Sequence, residues 1–287
     1  MTEIERAARN SIPIDASTRV YAVLGNPIEH SMSPMLHNDG FAAVQYPGVL
    51  VAFKVTDIAA AIAGIRSLGL RGAAVTLPHK VTIMPHIDTI DPQAKSIGAV
   101  NTVINRDGHL TGYNSDCPGA MKALLEKTAV QGKRVAVIGA GGAARAVGFG
   151  VKAEKGDLTI YNRTRPRGEA LAKELDARFL PLSEVEKIRC DILINTSSLG
   201  MHPDIESTPV PGKCLNPEMV VMDIVYNPLE TLLLKSAREK GCAIVDGLTM
   251  FVYQAAFQFE LWTGKPAPVG VMKKSVHSIL SKKNQKR

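Results

Sequence analysis

The sequence predicts an α/β protein of two domains, with a parallel, doubly wound sheet in the second. The length of 287 residues suits two domains, and the composition, 45% hydrophobic and 21% charged, is that of an ordinary globular chain. Strand-like and helix-like patterns alternate along most of the chain with short loops between them, which is typical of parallel sheets with helical crossovers. A second series of such patterns begins at Lys133, so we place a domain boundary near residue 115.

The first series contains three apolar runs typical of buried strands: VYAVLG (20–25), VLVAFKV (49–55) and GAAVTLP (72–78). Ser33-Pro34 predicts the start of a helix, with serine as the cap and proline in the first turn. The alanine-rich segment 58–69 predicts a second helix, which ends at glycine. The segment 99–114 predicts two strands joined by a hairpin turn at Asp107-Gly108. A helix that begins in SDCPGAMKALLEK then leads to the second series.

The second series contains five strand-like runs: RVAVIG (134–139), DLTIYNRT (157–164), DILINTSS (191–198), MVVMDIVY (219–226) and CAIVDG (242–247). Three helices are predicted between these runs. The first follows the glycine turn after RVAVIG, the second follows DLTIYNRT and extends to about residue 175, and the third covers LLLKSAREKG. Two further helices, over 249–262 and 268–280, would close the chain.

The formal net charge of +7 comes mostly from the C-terminus. Six basic residues lie in the last fifteen positions: Lys273, Lys274, Lys282, Lys283, Lys286 and Arg287. A basic, frayed tail is more often a solubility feature than a binding surface. No aromatic-rich RNA-binding signature accompanies it, so we expect no nucleic-acid partner.

Composition also argues against a membrane segment, a disulfide scaffold and a metal site. No uninterrupted apolar segment is long enough to span a bilayer, and the N-terminus lacks the apolar core of a signal peptide. The four cysteines are widely spaced, without a Cys-x-x-Cys pair: Cys117, Cys190, Cys214 and Cys242. The histidines show no metal-ligand spacing. We therefore expect reduced thiols, a cytoplasmic location and no bound metal.

Residues 139–144 read GAGGAA, follow a predicted strand and open a predicted helix. This is the context of the dinucleotide fingerprint, in which glycines permit a tight turn and the pyrophosphate lies at the helix N-terminus. Ala144 occupies the third small position, where alanine is an accepted substitute. The expected cofactor contacts are Gly139, Ala140, Gly141, Gly142 and Ala143. A glycine-rich turn without a ligand is the alternative.

The end of the next strand indicates which dinucleotide to expect. NAD sites usually carry Asp or Glu there for the ribose 2′-hydroxyl, whereas this chain reads YNRTRPR from residue 161. Three arginines without an acid favour a 2′-phosphate, because guanidinium groups form charge-assisted hydrogen bonds with phosphate. NADP is therefore the predicted cofactor, with contacts from Asn162, Arg163, Thr164 and Arg167. A solvated basic loop is the alternative.

Two serines one residue apart lie in GNPIEHSMSPMLHN (25–38). Side chains at i and i+2 of an extended segment point the same way, so Ser31 and Ser33 could donate two hydroxyls to one small anion. Pro34 would stiffen the loop. Ser33 could also be a plain helix cap, and the two roles do not exclude each other.

Nine segments in order carry a resemblance to a known family: GNPIEHSMSPMLHN, VTLPHK (75–80), GAVNTV (98–103), GYNSD (112–116), GAGGAA (139–144), NRT (162–164), NTSSLGM (195–201), YNP (226–228) and DGLTMFVYQ (246–254). Over nearly its whole length the chain resembles the shikimate dehydrogenases and the related quinate/shikimate dehydrogenases. The resemblance implies a small-molecule substrate and a reversible, NADP-linked interconversion of 3-dehydroshikimate and shikimate, the step preceding aromatic amino-acid synthesis. A homodimer is compatible with the sequence.

The resemblance assigns roles to residues at matching positions. Ser31 and Ser33 are expected to hold the substrate carboxylate. Lys80 and Asp116 are expected to form the catalytic pair at the hydroxyl that becomes a ketone; otherwise they would be a solvated lysine and a helix cap. Residues expected to border the substrate are Thr76, Asn101, Tyr226 and Gln254, and those expected to line the nicotinamide are Ile224 and Gly247.

The position of Gln254 bears on the domain organisation. It lies on a predicted C-terminal helix, so the resemblance implies that this helix returns to the substrate domain. The α/β substrate domain is then discontinuous, formed by residues 1–115 and 249–287. A Rossmann-type NADP-binding domain, residues 116–248, is inserted into it.

Two departures from the family pattern affect fine substrate preference. Ala74 stands where many members have asparagine, and Ser115 replaces the usual threonine. Two alternatives also stay open: a quinate/shikimate dehydrogenase that uses NAD or both cofactors, and a non-catalytic dinucleotide-binding sensor. The arginine-rich loop counts against NAD, and intact Lys80 and Asp116 count against a sensor.

Overall fold

The structure is a computed structural model that describes residues 13–285, with side chains described as far as residue 281. Residues 1–12 and, in the basic tail, Lys286 and Arg287 therefore lie outside the described residues. Contacts divide the chain into two units, one formed by residues up to Ser115 together with Ala255–Val276, and the other by Asp116–Gln254 together with the segment from His277. Within the described range, no helix is long and apolar enough to cross a membrane.

The first unit contains a six-stranded mixed sheet. Its strands are β1 (Arg19–Gly25), β2 (Gly48–Lys54), β3 (Gly72–Val75), β4 (Thr89–Ile90), β5 (Thr102–Arg106) and β6 (His109–Tyr113). Its helices are α1 (Ser33–Ala43), α2 (Ile58–Ser67), α3 (Pro92–Ile97) and a short 3₁₀ turn, Met84–His86. The strand order is β2-β1-β3-β5-β6-β4. Strand β1 pairs in parallel with both neighbours, whereas β5 is antiparallel to β3 and β6.

The hairpin between β5 and β6 confirms the turn prediction. Asp107 and Gly108 have φ values of 52° and 90°, the left-handed conformations that a two-residue hairpin turn requires. Strand β4 and helix α3 were not predicted, because two and six residues are too few to show a period.

The second unit contains a wholly parallel sheet. Its strands are β7 (Arg134–Ile138), β8 (Asp157–Asn162), β9 (Arg178–Pro181), β10 (Ile192–Asn195), β11 (Val220–Asp223) and β12 (Ala243–Val245). Its helices are α4 (Asp116–Leu125), α5 (Gly142–Ala153), α6 (Arg165–Glu174) and α7 (Leu232–Glu239), with 3₁₀ turns at Leu182–Lys187 and Gly212–Cys214. The order β12-β11-β10-β7-β8-β9 reverses direction between β7 and β10. The predicted doubly wound sheet is confirmed, and its switch point lies where such folds bind nucleotides.

Two C-terminal helices, α8 (Gly247–Thr263) and α9 (Val269–Gln285), complete the chain. The later part of α8 belongs to the core of the first unit. There Trp262 lies over Tyr21, with 4.9 Å between ring centroids, and Phe259 stacks on Phe41 at 5.4 Å. Each such ring pair contributes about 0.5–1.5 kcal/mol beyond its buried area, so a segment distant in sequence is fastened to the first sheet.

The outer edge of β2 is partly covered by a side chain. Asn38, on α1, accepts a hydrogen bond from the Leu50 N–H at 2.7 Å and donates one to the Leu50 carbonyl at 3.1 Å. An uncovered edge would offer both groups to another strand. Asn38 therefore attaches α1 to the sheet and occupies the pairing groups in the middle of the edge.

Replacing Asn38 with alanine should remove both bonds and leave the Leu50 backbone groups unpaired. We expect the free energy of unfolding to fall by about 1–3 kcal/mol, measured by urea denaturation. Gln93→Ala, an exposed change on α3, is the control and should stay within about 0.5 kcal/mol of the parent. A loss no larger than the control's would contradict the role given to Asn38.

Candidate functional site

Backbone hydrogen bonds gather the predicted substrate residues of the first unit at one end of its sheet. The Val75 N–H donates to the Asn101 carbonyl at 2.8 Å, and the Val100 N–H donates to the Lys80 carbonyl at 2.8 Å. The loop that leaves β1 joins the same end, because the Asn26 N–H donates to the Leu77 carbonyl at 2.9 Å. Ligands of open α/β sheets bind beyond the carboxyl ends of strands. Thr76, Lys80, Asn101 and the two serines are therefore carried by segments that meet at such an end.

The two serines approach each other by a different geometry from the one predicted. Met32 between them is helical, with φ −92° and ψ −3°, so the segment is not extended. Met32 also occupies the N-cap position of α1, and Ser33 is the first helical residue; the prediction that Ser33 caps the helix is wrong. Instead the Ser31 hydroxyl accepts a hydrogen bond from the Ser33 N–H at 3.3 Å. Both hydroxyls thus lie at the positive end of an 11-residue helix, where an anion is stabilised.

Asn101 is buried and has its side-chain amide fixed in direction. Its Oδ1 atom accepts three hydrogen bonds, from the Ser115 N–H at 2.7 Å, the Ser115 hydroxyl at 3.1 Å and the Thr102 hydroxyl at 2.9 Å. A backbone N–H can meet only an acceptor, so the oxygen must lie on that side. The Nδ2 group remains as a donor that a ligand hydroxyl could accept from.

Lys80 lies half-buried in a turn beyond β3, as predicted, rather than on a helix. The preceding His79 is buried, and its Nε2 atom lies 2.9 Å from the Val55 carbonyl oxygen. This contact attaches the turn to the segment that follows β2. It therefore restricts the position of the Lys80 backbone.

In the second unit, the glycine loop has the form that a pyrophosphate requires. Gly139 has a φ of 117°, and a Cβ atom there would lie 2.7 Å from Thr196 Oγ1. Gly141 is the N-cap of α5 and contributes no side-chain cap, and no atom of the described residues lies within 4 Å of an added Cβ. The first turn of α5 is thus approachable by an anion, while the buried Ala144 keeps the helix close to its sheet.

The arginines after β8 fall into two groups. Arg165 donates to Glu169 at 2.8 Å and lies 5.6 Å from the Phe179 ring centroid. Arg163 and Arg167 are exposed and form no ion pair with any residue that the structure describes. The Asn162 side chain donates to the Thr164 carbonyl at 2.8 Å, which shapes the turn. The residues present therefore fit a 2′-phosphate, because the guanidinium groups of Arg163 and Arg167 are available to bind it.

The residues expected at the nicotinamide also lie close together. A Cβ atom on Gly247 would lie 2.7 Å from the Ile224 carbonyl carbon, so these two backbones are in direct contact. Tyr226 stacks on Phe251 with 4.5 Å between ring centroids, and burial raises its pKa, so its hydroxyl keeps its proton at neutral pH. Asp223 accepts from Asn195, Thr231 and the Val225 N–H; burial outweighs these donors and raises its pKa to about 6.

Asp116 and Gln254 are carried by helices that touch at a glycine. Asp116 is the first residue of α4 and is buried. Three residues later, a Cβ atom on Gly119 would lie 2.6 Å from the Gln254 nitrogen and 2.8 Å from its Cα atom. Tyr253 on α8 donates to Glu126, and the Lys122 ammonium lies 4.6 Å from the centre of the Tyr253 ring. Gly119 therefore sets how closely the two helices approach.

Three polar residues of the first unit were not assigned to the site from the sequence: Thr102, Gln258 and His37. Gln258 is buried and donates to the Thr102 hydroxyl at 3.0 Å. A signal existed, because Gln258 follows Gln254 by one helical turn and interrupts the apolar run AAFQFELW.

Gly119→Ala should force α4 and α8 apart, because the contact at Gly119 is with backbone atoms that cannot rotate away. We expect a loss of about 1–3 kcal/mol in the free energy of unfolding, measured by urea denaturation. Gly64→Ala is the matched control, since its Cβ position on α2 has no neighbour within 4 Å in the part of the chain that the structure describes. It should stabilise the protein by about 0.4–1 kcal/mol. Similar effects from both substitutions would show that the close approach is unimportant.

Family comparisons match about three-quarters of the chain in three blocks. Residues 23–103 match the family described as the shikimate dehydrogenase substrate binding domain. Residues 122–226 match the shikimate / quinate 5-dehydrogenase family, and residues 247–277 match the shikimate 5'-dehydrogenase C-terminal domain.

Similar proteins extend over the same length. The chain is 47% identical over 277 residues to a protein of Moorella thermoacetica named shikimate dehydrogenase (NADP(+)), covering 91% of this chain and 93% of the relative. A crystal structure of shikimate dehydrogenase in complex with NADP+ has a TM-score of 0.89 at 40% identity, over 94% of this chain and 98% of that one. The Thermus thermophilus enzyme in complex with NADP(H) and shikimate has a TM-score of 0.85 at 33% identity, over 91% and 99%. This chain belongs to the shikimate dehydrogenase family.

Proposed function

We propose that the protein is an NADP-dependent oxidoreductase that interconverts 3-dehydroshikimate and shikimate. The observation that carries the proposal is family membership over nine-tenths of the chain, at 47% identity to a relative of that name, with every expected catalytic and carboxylate-binding residue present. The unpaired Arg163 and Arg167 favour this function over the NAD-dependent quinate alternative.

On the nucleotide side, the loop from Gly139 to Ala143 and the first turn of α5 bind the pyrophosphate. Arg163 and Arg167 bind the 2′-phosphate, with Asn162 and Thr164 shaping their turn. Ile224 and Gly247 border the nicotinamide, which supplies or accepts the hydride when the cofactor is bound. A loop that lacks an acid and holds two uncommitted guanidinium groups supports NADP over NAD.

On the substrate side, Ser31 and Ser33 hold the carboxylate at the N-terminus of α1. Four neutral polar residues bind the ring hydroxyls or border the substrate: Thr76, Asn101, Tyr226 and Gln254. Neutral donors and acceptors suit a polyol, and the Asn101 amide presents its nitrogen for this purpose.

Lys80 and Asp116 handle the proton. When hydride reaches the carbonyl carbon of 3-dehydroshikimate, the oxygen gains negative charge and takes up a proton; in the reverse direction the hydroxyl gives that proton up. A Lys–Asp pair can shuttle the proton and stabilise the charge on oxygen as it develops.

The domain limits, location and assembly belong to the same proposal. Residues 1–115 and 249–287 form the substrate domain, and residues 116–248 form the inserted NADP-binding domain. The four cysteines are free thiols, three of them buried, which supports a reducing, cytoplasmic compartment.

A homodimer would cover Val51 and Phe53, which share one face of β2 and are 41% and 44% exposed. Sedimentation velocity tests whether the protein forms this dimer.

The cofactor assignment predicts different effects for arginines of one loop. Arg163→Ala should raise the KM for NADP about tenfold or more, and Arg163→Ala with Arg167→Ala should raise it further, because each lost charge-assisted contact costs about 1.5–3 kcal/mol. The KM for NAD should hardly change. Arg165→Ala is the control, since Arg165 is already paired with Glu169. Equal losses with NADP and NAD, measured by steady-state kinetics, would rule out the 2′-phosphate role.

The enzyme assignment predicts that Lys80→Ala lowers kcat for shikimate oxidation by about 10²–10⁴-fold, the usual value of a positioned proton-transfer group. KM should change much less, because the interaction strengthens mainly in the transition state. Asp116→Asn should cause a comparable loss, and the double variant should lose far less than the two losses combined, since the residues act as one unit.

Lys95→Ala, an exposed lysine change on α3, is the control for loss of a positive charge and should leave kcat unchanged. NADP binding by fluorescence verifies that each variant is folded. A Lys80→Ala enzyme that oxidises shikimate within a few-fold of the parent rate would end the proposed mechanism.

A further inference from the structure

A chain of buried hydrogen bonds runs from helix α1 to the Asn101 side chain. His37 Nε2 lies 3.3 Å from Gln258 Oε1. Gln258 Nε2 donates to the Thr102 hydroxyl at 3.0 Å and to the Asn101 carbonyl at 3.2 Å. The Thr102 hydroxyl in turn donates to Asn101 Oδ1 at 2.9 Å. His37 and Thr102 are fully buried, and Gln258 is 2% exposed.

The direction of each bond follows from the one beside it. Gln258 Nε2 contacts a carbonyl oxygen, so it is the amide nitrogen, and Oε1 must be the acceptor toward His37. His37 therefore carries its proton on Nε2. The Thr102 hydroxyl has one hydrogen, and because it accepts from Gln258 it can give that hydrogen to Asn101. Donors thus point one way along the whole chain.

We propose that Gln258 is a positioning residue of the substrate site: through Thr102 it holds the Asn101 amide in the direction that the Ser115 N–H selects, with the Nδ2 donor presented to the substrate. The inference rests on the proposed function, in which Asn101 binds a substrate hydroxyl. Gln258 contacts Asn101 twice, directly at its carbonyl and through Thr102 at its side chain. Without Gln258, the Thr102 hydroxyl is free to rotate toward other acceptors and the amide loses one of its three donors.

The burial of this chain has a cost that supports a specific role. His37 Nδ1 is a buried side-chain atom without a hydrogen-bond partner among the described residues. Burial lowers the pKa of His37 to about 4, so the ring is neutral at neutral pH and offers a single donor, which it gives to Gln258. An apolar side chain would fill this part of the core without an unsatisfied nitrogen. The role of the histidine that accounts for this cost is to orient the Gln258 side chain.

The test is a double-mutant cycle on the KM for shikimate. Gln258→Met keeps the volume and removes the hydrogen bonds, and it should raise this KM about tenfold, the size of one hydrogen bond. The KM for NADP should be unchanged, and kcat should stay within about threefold. If Gln258 acts through Asn101, Gln258→Met combined with Asn101→Ala should be no worse than Asn101→Ala by itself. Thr102→Val should reproduce the Gln258→Met pattern and replaces it if that variant fails to fold.

Asn105→Ala is the matched control. Asn105 is also buried on β5 and bonds the Leu70 carbonyl and the Gly108 N–H, at the far end of the strand from Asn101. It should lower stability without raising the KM for shikimate. Multiplicative losses in the double variant, or an unchanged KM in Gln258→Met and Thr102→Val, would overturn the inference. If Asn101→Ala itself left the KM unchanged, the substrate role of Asn101 would fail instead, so the two failures are distinguishable.

Discussion

The hydrogen bonding of Asn101 is the constraint on which the first unit depends. Its N–H donates to the Tyr113 carbonyl, and its carbonyl accepts from Val75 and Gln258. Its side-chain oxygen accepts from Thr102 and Ser115. One buried residue thus joins strands β3, β5 and β6 and helix α8. Each bond is made in a low-dielectric interior, where an unmade bond costs about 1–3 kcal/mol, so these strands and the helix are held in one arrangement around Asn101.

The second unit depends instead on places where a neighbouring segment leaves no room for a side chain. Gly139 faces Thr196, Gly119 faces Gln254, and Gly247 faces Val225, each with an added Cβ atom closer than 3.0 Å to a neighbour. Every one of these contacts adjoins a residue assigned to the cofactor or the substrate. At Gly119 and Gly247, glycine permits backbone to lie against backbone. At Gly139 it leaves room for the Thr196 hydroxyl and permits the positive φ.

The sequence predicts most elements of the fold because their patterns are local. Five of the six strands of the parallel sheet appear as short apolar runs. Glycine marks the end of α2, and Asp-Gly marks the hairpin turn between β5 and β6. Strands β4 and β9 were missed, since two residues show no period and the Pro181 end of the other does not read as a strand. The Ser33 cap was wrong because the helix begins one residue earlier than predicted, with Met32 at the N-cap position and Ser33 as the first helical residue. The division between Arg165 and its unpaired neighbours could not be predicted, because it requires knowing that Glu169 and Phe179 lie against Arg165.

In both units, a side-chain oxygen or carboxylate near the end of a strand accepts three hydrogen bonds, but the two groups differ chemically. Asn101 Oδ1 collects three donors in the first unit, and the Asp223 carboxylate collects three in the second. An oxygen that accepts from several segments holds loops together equally well in either residue. A carboxylate, however, presents only acceptors, and burial raises the pKa of Asp223 to about 6, so a similar charge beside the substrate would carry a large desolvation cost. An amide accepts on one side and keeps a neutral donor on the other. Asparagine therefore suits the position that we propose faces a polyol, whereas aspartate suits the one that serves structure.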